Sequence, residues 1–110
     1  ILSSVVVGDP PASYADYITA KYAMWGFSKC LFKELSQHGI NVTCISPDFV
    51  RTKLTGVFPE KLDDVLATRN ELGRLTTPED VATVVVDIVV NPNLCGDNVV
   101  MFGGQIINKE

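Results

Sequence analysis

Two short runs of almost unbroken apolar and β-branched residues, "ILSSVVV" at 1–7 and "INVTCIS" at 40–46, are separated by one long helical pattern. Strands that are apolar on both faces belong in a sheet covered on both sides, and strands joined through a helix run parallel with a right-handed crossover. This alternation points to an α/β fold more firmly than any figure of composition. The breaker cluster "GDPPAS" ends the first run and Pro47 ends the second. Between them "SYAD" at 13–16 has the form of a capping box, so a helix is expected from about Tyr14 to about His38, with Gly39 as a left-handed stop. His38, the only histidine, then lies in the last turn, where its charge complements the helix dipole.

The stretch "TPEDVATVVVDIVVN" at 77–91 is strand-prone by its valines, but its start decides for a helix. Thr77 suits the N-cap, Pro78 the first helical position, and Glu79 and Asp80 the first turn. A helix is therefore predicted over Pro78–Val90, stopped by Asn91 and Pro92. "DNVVMFGG" at 97–104 supplies a third short strand, ending in Gly103 and Gly104. The order β-α-β-α-β implies a parallel sheet. Residues 48–75 form a long excursion with two or three short amphipathic turns, of the kind compact domains keep for function. Ligands bind beyond the carboxyl ends of such strands, where "SS" of the first, "SPDFVRT" after the second and "FGG" of the third would meet.

Composition narrows the function. The 110 residues, 46% hydrophobic and 20% charged, suit one ordinary globular unit. A net charge of -4, with Arg51, Lys53, Arg69 and Arg74 scattered among acids, argues against a nucleic-acid surface. No apolar run reaches bilayer length and no charged leader precedes a cleavable segment, so neither a membrane partner nor export is expected. Cys30, Cys44 and Cys95 are odd in number and widely spaced, without a CxxC or a neighbouring histidine. They are read as reduced thiols in a cytoplasmic protein, with no metal site.

"DYITAKYAMWGF" at 16–27 places Tyr17 four residues ahead of Lys21, on one face of the expected helix. A neighbouring ammonium favours phenolate, which would lower the phenol's pKa from about 10 and make it a proton donor near neutral pH. The spacing alone arises by chance in unrelated chains. Ser4, at the ligand edge of the first strand, lets serine, tyrosine and lysine converge on one volume. A hydroxyl that polarises a substrate oxygen, a phenol that moves the proton and a lysine beside it suit interconversion of carbonyl and alcohol.

With these pieces assembled, the chain resembles the C-terminal half of a short-chain dehydrogenase/reductase, most of all the oxoacyl-carrier-protein-reductase type. The resemblance rests on "SS" with Ser4 thirteen residues before Tyr17, "YITAK", "ELSQHGINVTCISPDFVRT", "LGRLTTPEDVA" and "GDNVVMFGGQ", in order along nearly the whole sequence. It implies a three-layer Rossmann-like α/β fold, of which residues 1–110 would form a single partial domain, the N-terminal dinucleotide-binding half being absent. It further implies an NAD(P)-dependent oxidoreductase with NAD or NADP as cofactor and a small-molecule carbonyl or alcohol as substrate. Ser4 would orient the substrate, and Tyr17 would be acid in reduction and base in oxidation. Lys21 would lower the Tyr17 pKa, and both would touch the nicotinamide ribose. Pro47, the backbone of Val50 and the Thr52 hydroxyl would cradle the nicotinamide, although Thr52 also suits a helix cap. Tyr14 would flank the substrate. Ser3 is read as strand backbone with a locally satisfied hydroxyl.

Two departures matter. Asp48 stands where the family usually has glycine after the proline, so it would crowd the nicotinamide or favour its cationic oxidised form. Family members run to roughly twice this length, because a first βαβ unit seats the pyrophosphate. The sequence opens inside an apolar strand without an initiator methionine, and no glycine-rich phosphate turn occurs in it. The helix carrying Ile18, Ala20, Tyr22, Ala23, Met24, Trp25 and Phe27 is apolar over more than a stripe, and the family implies its burial in a homodimer or homotetramer, with Trp25 or Tyr22 at the interface. Leu54, Val57, Phe58, Leu62 and Leu66 could form an apolar lid over a hydrophobic substrate or merely pack their own short helices. The alternative function is a catalytically inactive truncated half-fold acting as an interaction module.

Overall fold

A computed structural model describes residues 12–69 and 71–109 of the chain. The first apolar run, with Ser3 and Ser4, lies outside the described residues. Helix α1 spans Ala15–Leu35 and tightens into a 3-10 turn at Ser36–His38. Gly39 ends it at φ +72°, its N–H on the Ser36 carbonyl at 3.0 Å. The helix start differs from expectation. Ser13 takes a left-handed conformation (φ +71°), Tyr14 becomes the N-cap without a side-chain bond, and Asp16 instead accepts from the Tyr17 N–H at 2.8 Å. The capping box expected of "SYAD" is not made, because its serine does not hold the extended backbone of an N-cap.

Strand β1, Cys44–Pro47, begins later than the apolar run. Ile40 is still turning out of the helix, its N–H on the Leu35 carbonyl at 3.2 Å. All four residues of β1 are buried, and the Ser46 hydroxyl is satisfied by the Asn98 side-chain carbonyl at 2.7 Å. Beyond β1 the chain makes a 3-10 turn at Thr55–Val57 and a short helix α2 at Lys61–Ala67. Helix α3 occupies Pro78–Val90, as its start signal predicts: the Thr77 hydroxyl accepts the Asp80 N–H at 3.2 Å, and the Asp80 carboxylate returns to the Thr77 N–H at 2.8 Å. This reciprocal cap overrides the strand propensity of the valines, which then sort by helical period. Val81, Val84 and Ile88 face Ile45, Val99 and Met101 to form the core.

Strand β2, Asn98–Phe102, pairs parallel with β1 in the register Cys44↔Asn98 to Pro47↔Met101. The sheet is not wholly parallel. Strand β3, Gln105–Lys109, folds back antiparallel on β2, with Phe102 opposite Gln105. Gly103 and Gly104, at φ +55° and +80°, provide the two positive φ values of a tight two-residue hairpin, so the glycine pair is a turn rather than a strand end. The described fold is an α/β piece with a mixed sheet.

Candidate active site

The short connection from α1 into β1 sends the helix back alongside the strand, so its amino end lies toward the strands' carboxyl edge. A helix of 21 residues is about 32 Å long at 1.5 Å per residue, far longer than β1. Tyr14, Tyr17 and Lys21 occupy its first turns. Ile18, Lys21, Trp25, Ser28, Leu31, Phe32 and Leu35 form the less exposed stripe, in which Ile18 and Ser28 are buried. Tyr17 is 44% exposed, one position before the buried Ile18, and the Lys21 Nζ lies 5.6 Å from the centre of its ring. The pair predicted from spacing therefore meets on one face in the first turns of α1. Tyr14, the helix N-cap, is equally open. Ser4 lies outside the described residues.

The loop after β1 carries the second set. Pro47 is buried at the strand's last position, Val50 makes a parallel bridge with Thr76, and Thr52 is exposed. The Thr55 hydroxyl draws Val50 and Thr52 together: it donates to the Val50 carbonyl at 2.8 Å and accepts the Thr52 N–H at 2.7 Å. Behind this loop stand Asp48, which the sequence singled out only as a departure beside the nicotinamide, and Thr76, which it did not single out. Asp48 accepts the Thr76 hydroxyl on one carboxylate oxygen and the Gly103 N–H on the other at 3.1 Å, while its own N–H meets the Met101 carbonyl at 3.0 Å. Thr76, 1% exposed, also accepts the Gly104 N–H at 2.8 Å. Asp48 thus ties the loop to the hairpin turn, and both its oxygens are engaged within the protein rather than left for a ligand. A polar residue directly after a buried strand was the available signal.

Arg51 makes a forked ion pair with Asp63, which holds the Asp63 carboxyl below its ordinary range. A cleft of about 470 Å³ runs along Arg51, Glu60, Lys61, Asp63 and Asp64. Neither Tyr17 nor Lys21 lines it. Cys30, Cys44 and Cys95 are all free thiols. Among the described residues no helix is long and apolar enough to cross a membrane.

Comparison with known proteins agrees with this geometry. A family model described as enoyl-(acyl carrier protein) reductase matches residues 1–104. The short-chain reductase protein NovJ of Streptomyces niveus is 38% identical, covering 86% of this chain and 39% of its own. The 3-oxoacyl-[acyl-carrier-protein] reductase FabG of Aquifex aeolicus is 32% identical, over 97% of this chain and 41% of its own. Among solved structures, 4-hydroxyisoleucine dehydrogenase complexed with NADH superposes with a TM-score of 0.82 at 25% identity, over 94% of this chain and 44% of that one. The chain thus spans about two fifths of the length of the relatives it matches. With its tyrosine and lysine one turn apart near the start of α1 and nearly all of its length matched by the family model, the chain belongs to the short-chain dehydrogenase/reductase family, and within it resembles the oxoacyl-carrier-protein reductases.

Proposed function

We propose that residues 1–110 are the catalytic part of a single Rossmann-fold domain in an NAD(P)-dependent oxidoreductase that interconverts a carbonyl and an alcohol by hydride transfer. The observation that carries the reading is the Tyr17–Lys21 pair, ammonium 5.6 Å from the ring centre, at the open amino end of α1. Tyr17 donates its phenolic proton to the substrate oxygen in reduction and takes it back in oxidation. Ser4 orients that oxygen, Lys21 keeps a positive charge beside the phenol, and Tyr14 flanks the substrate.

The described residues fit a nicotinamide group. Thr52 offers an exposed hydroxyl, and its N–H and the Val50 carbonyl meet on the Thr55 hydroxyl, which keeps a donor and an acceptor for a carboxamide on one short loop. Pro47, Val50 and Thr52 would hold the carboxamide side, and Tyr17 and Lys21 the ribose. When bound, the nicotinamide supplies hydride to the carbonyl carbon or receives it from the alcohol. The NADH-bound relative supports this cofactor class, and the 3-oxoacyl reductase supports an acyl carbonyl substrate. A cytoplasmic homodimer or homotetramer completes the proposal, supported by the free thiols and by the apolar outer face of α1.

The test is reduction of a 3-oxoacyl thioester by NADH and by NADPH, followed by absorbance, in the full polypeptide that carries these residues. Tyr17→Phe should lower kcat by about 10²–10⁴-fold with little change in KM. Undiminished turnover would remove Tyr17 from the role.

A further inference from the structure

Three segments from distant parts of the chain are joined at Asp48. Its carboxylate accepts the Thr76 hydroxyl on one oxygen and the Gly103 N–H on the other at 3.1 Å, and its backbone N–H reaches the Met101 carbonyl at 3.0 Å. Thr76, almost wholly buried, accepts the Gly104 N–H at 2.8 Å and makes a parallel bridge with Val50. Asp48 therefore stands where the carboxyl ends of the adjacent parallel strands β1 and β2 meet the approach to α3.

Val50 and Thr52 are tied to each other on the Thr55 hydroxyl, at 2.8 and 2.7 Å, while Asp48 and the Thr76 bridge tie that pair to the sheet. The glycine usual in the family at position 48 offers no acceptor. It would leave the Thr76 hydroxyl and the Gly103 N–H to find other partners and would give the loop more backbone conformations to choose from. A loop already held in one geometry binds a ligand without the cost of being ordered by it.

We infer that Asp48 is a positioning residue that, through Thr76 and the Gly103 N–H, fixes the backbone of Val50 and Thr52 for the nicotinamide carboxamide. This rests on the oxidoreductase reading above, which puts the carboxamide on those two residues. Oxidised and reduced nicotinamides carry the same carboxamide and differ in ring charge. A residue acting through the loop strengthens both forms by the same factor, whereas a carboxylate acting by its charge favours the cationic oxidised ring.

The experiment is calorimetric titration of the full polypeptide that carries these residues with NADH, NADPH and their oxidised forms. The acetylpyridine analogue, in which a methyl replaces the amino group of the carboxamide, is titrated in parallel, and the wild type should bind it less tightly than the amide. Asp48→Gly, which restores the family's usual residue, should weaken both redox forms alike, about five- to tenfold, the contribution of one net hydrogen bond. The analogue should lose much less, so the preference for the amide shrinks; a general loosening of the fold would weaken amide and analogue together. Thr76→Val should repeat the pattern, and Asp48→Gly decides the question if Thr76→Val does not fold. Unchanged or tighter binding by Asp48→Gly would overturn the inference, as would a loss confined to one redox form, an equal loss for amide and analogue, or a folded Thr76→Val protein that binds like the wild type. Equal binding of amide and analogue by the wild type would overturn it too, by removing the carboxamide from this loop. Failure of every dinucleotide to bind the wild type would instead overturn the oxidoreductase reading and this inference with it.

Discussion

Asp80 performs two tasks with one carboxylate. It accepts two bonds from the Arg74 guanidinium, at 2.7 and 3.3 Å, and one from the Thr77 N–H at 2.8 Å, so it anchors the loop before α3 and also starts that helix. The Arg74 charge first, and the Thr77 amide second, hold its carboxyl well below the usual carboxylate range. An unfolded aspartate titrates near 4, so this contribution to stability is complete above about that pH and is lost as acid protonates the native chain below it. The urea midpoint of the wild type should therefore fall steeply between about pH 4.5 and 2.5. Asp80→Asn should start lower and show a flatter fall, and equal slopes would show that other carboxylates dominate the acid limb. Asp48 illustrates the same principle at the neighbouring turn. A residue that looks misplaced in the sequence is explained by the Thr76 hydroxyl and Gly103 amide it accepts, which no local pattern predicts.

At the scale of elements, the hairpin of β2 and β3 depends on its turn. A side-chain carbon added at Gly104 would fall on the Arg74 guanidinium and the Asp80 carboxylate, at a residue whose φ is +80°. Gly104→Ala should cost more than about 1 kcal/mol in chemical denaturation, since strain adds to the displaced ion pair. A neutral result would mean that the hairpin relaxes without disturbing α3. Helix α3 was fully legible because its start is chemical: a threonine, a proline and two acids in the right order. The antiparallel β3 was not, because "QIINK" is short and Gly103–Gly104 serve equally well as the end of a strand or as the centre of a hairpin. Pairing with β2 decides between the two.

At the scale of the molecule, α1 buries one stripe and leaves Tyr22 44% and Phe27 56% exposed on its outer faces. The Trp25 Nε1 is shielded from solvent without a hydrogen-bond partner among the described residues. An outer apolar face of this kind marks an interaction surface. For the proposed homo-oligomer, with this face as its interface, Phe27→Glu should shift the sedimenting species toward monomer and move Trp25 emission to longer wavelength. Persistence of the oligomer with unchanged emission would place the interface elsewhere. The subunit mass in the same experiment separates the two functional readings. About twice the mass of these 110 residues, as a complete doubly wound domain requires, accords with the oxidoreductase, and a mass near theirs with the interaction module.

The sequence by itself determined the α/β class, the place and length of α3, the Gly39 stop of α1 and the Tyr17–Lys21 face, because each follows from local backbone chemistry or helical period within a few residues. The tertiary structure alone decided the mixed sheet, the Asp48–Thr76–Gly103 tie and the wrapping of residues 55–63 around Arg51, whose guanidinium donates to the Thr55, Phe58 and Pro59 carbonyls. In the tie, and in the pairing of β1 with β2, the partners stand far apart in the chain, whereas β3 follows β2 through a two-residue turn. In the Arg51 wrap they are near neighbours, but nothing in their types says which carbonyls a guanidinium will collect. Hydrogen bonds of that kind are specified by where the chain has already been brought together, and that depends on burial of Ile45, Val84, Val99 and Met101 in one core.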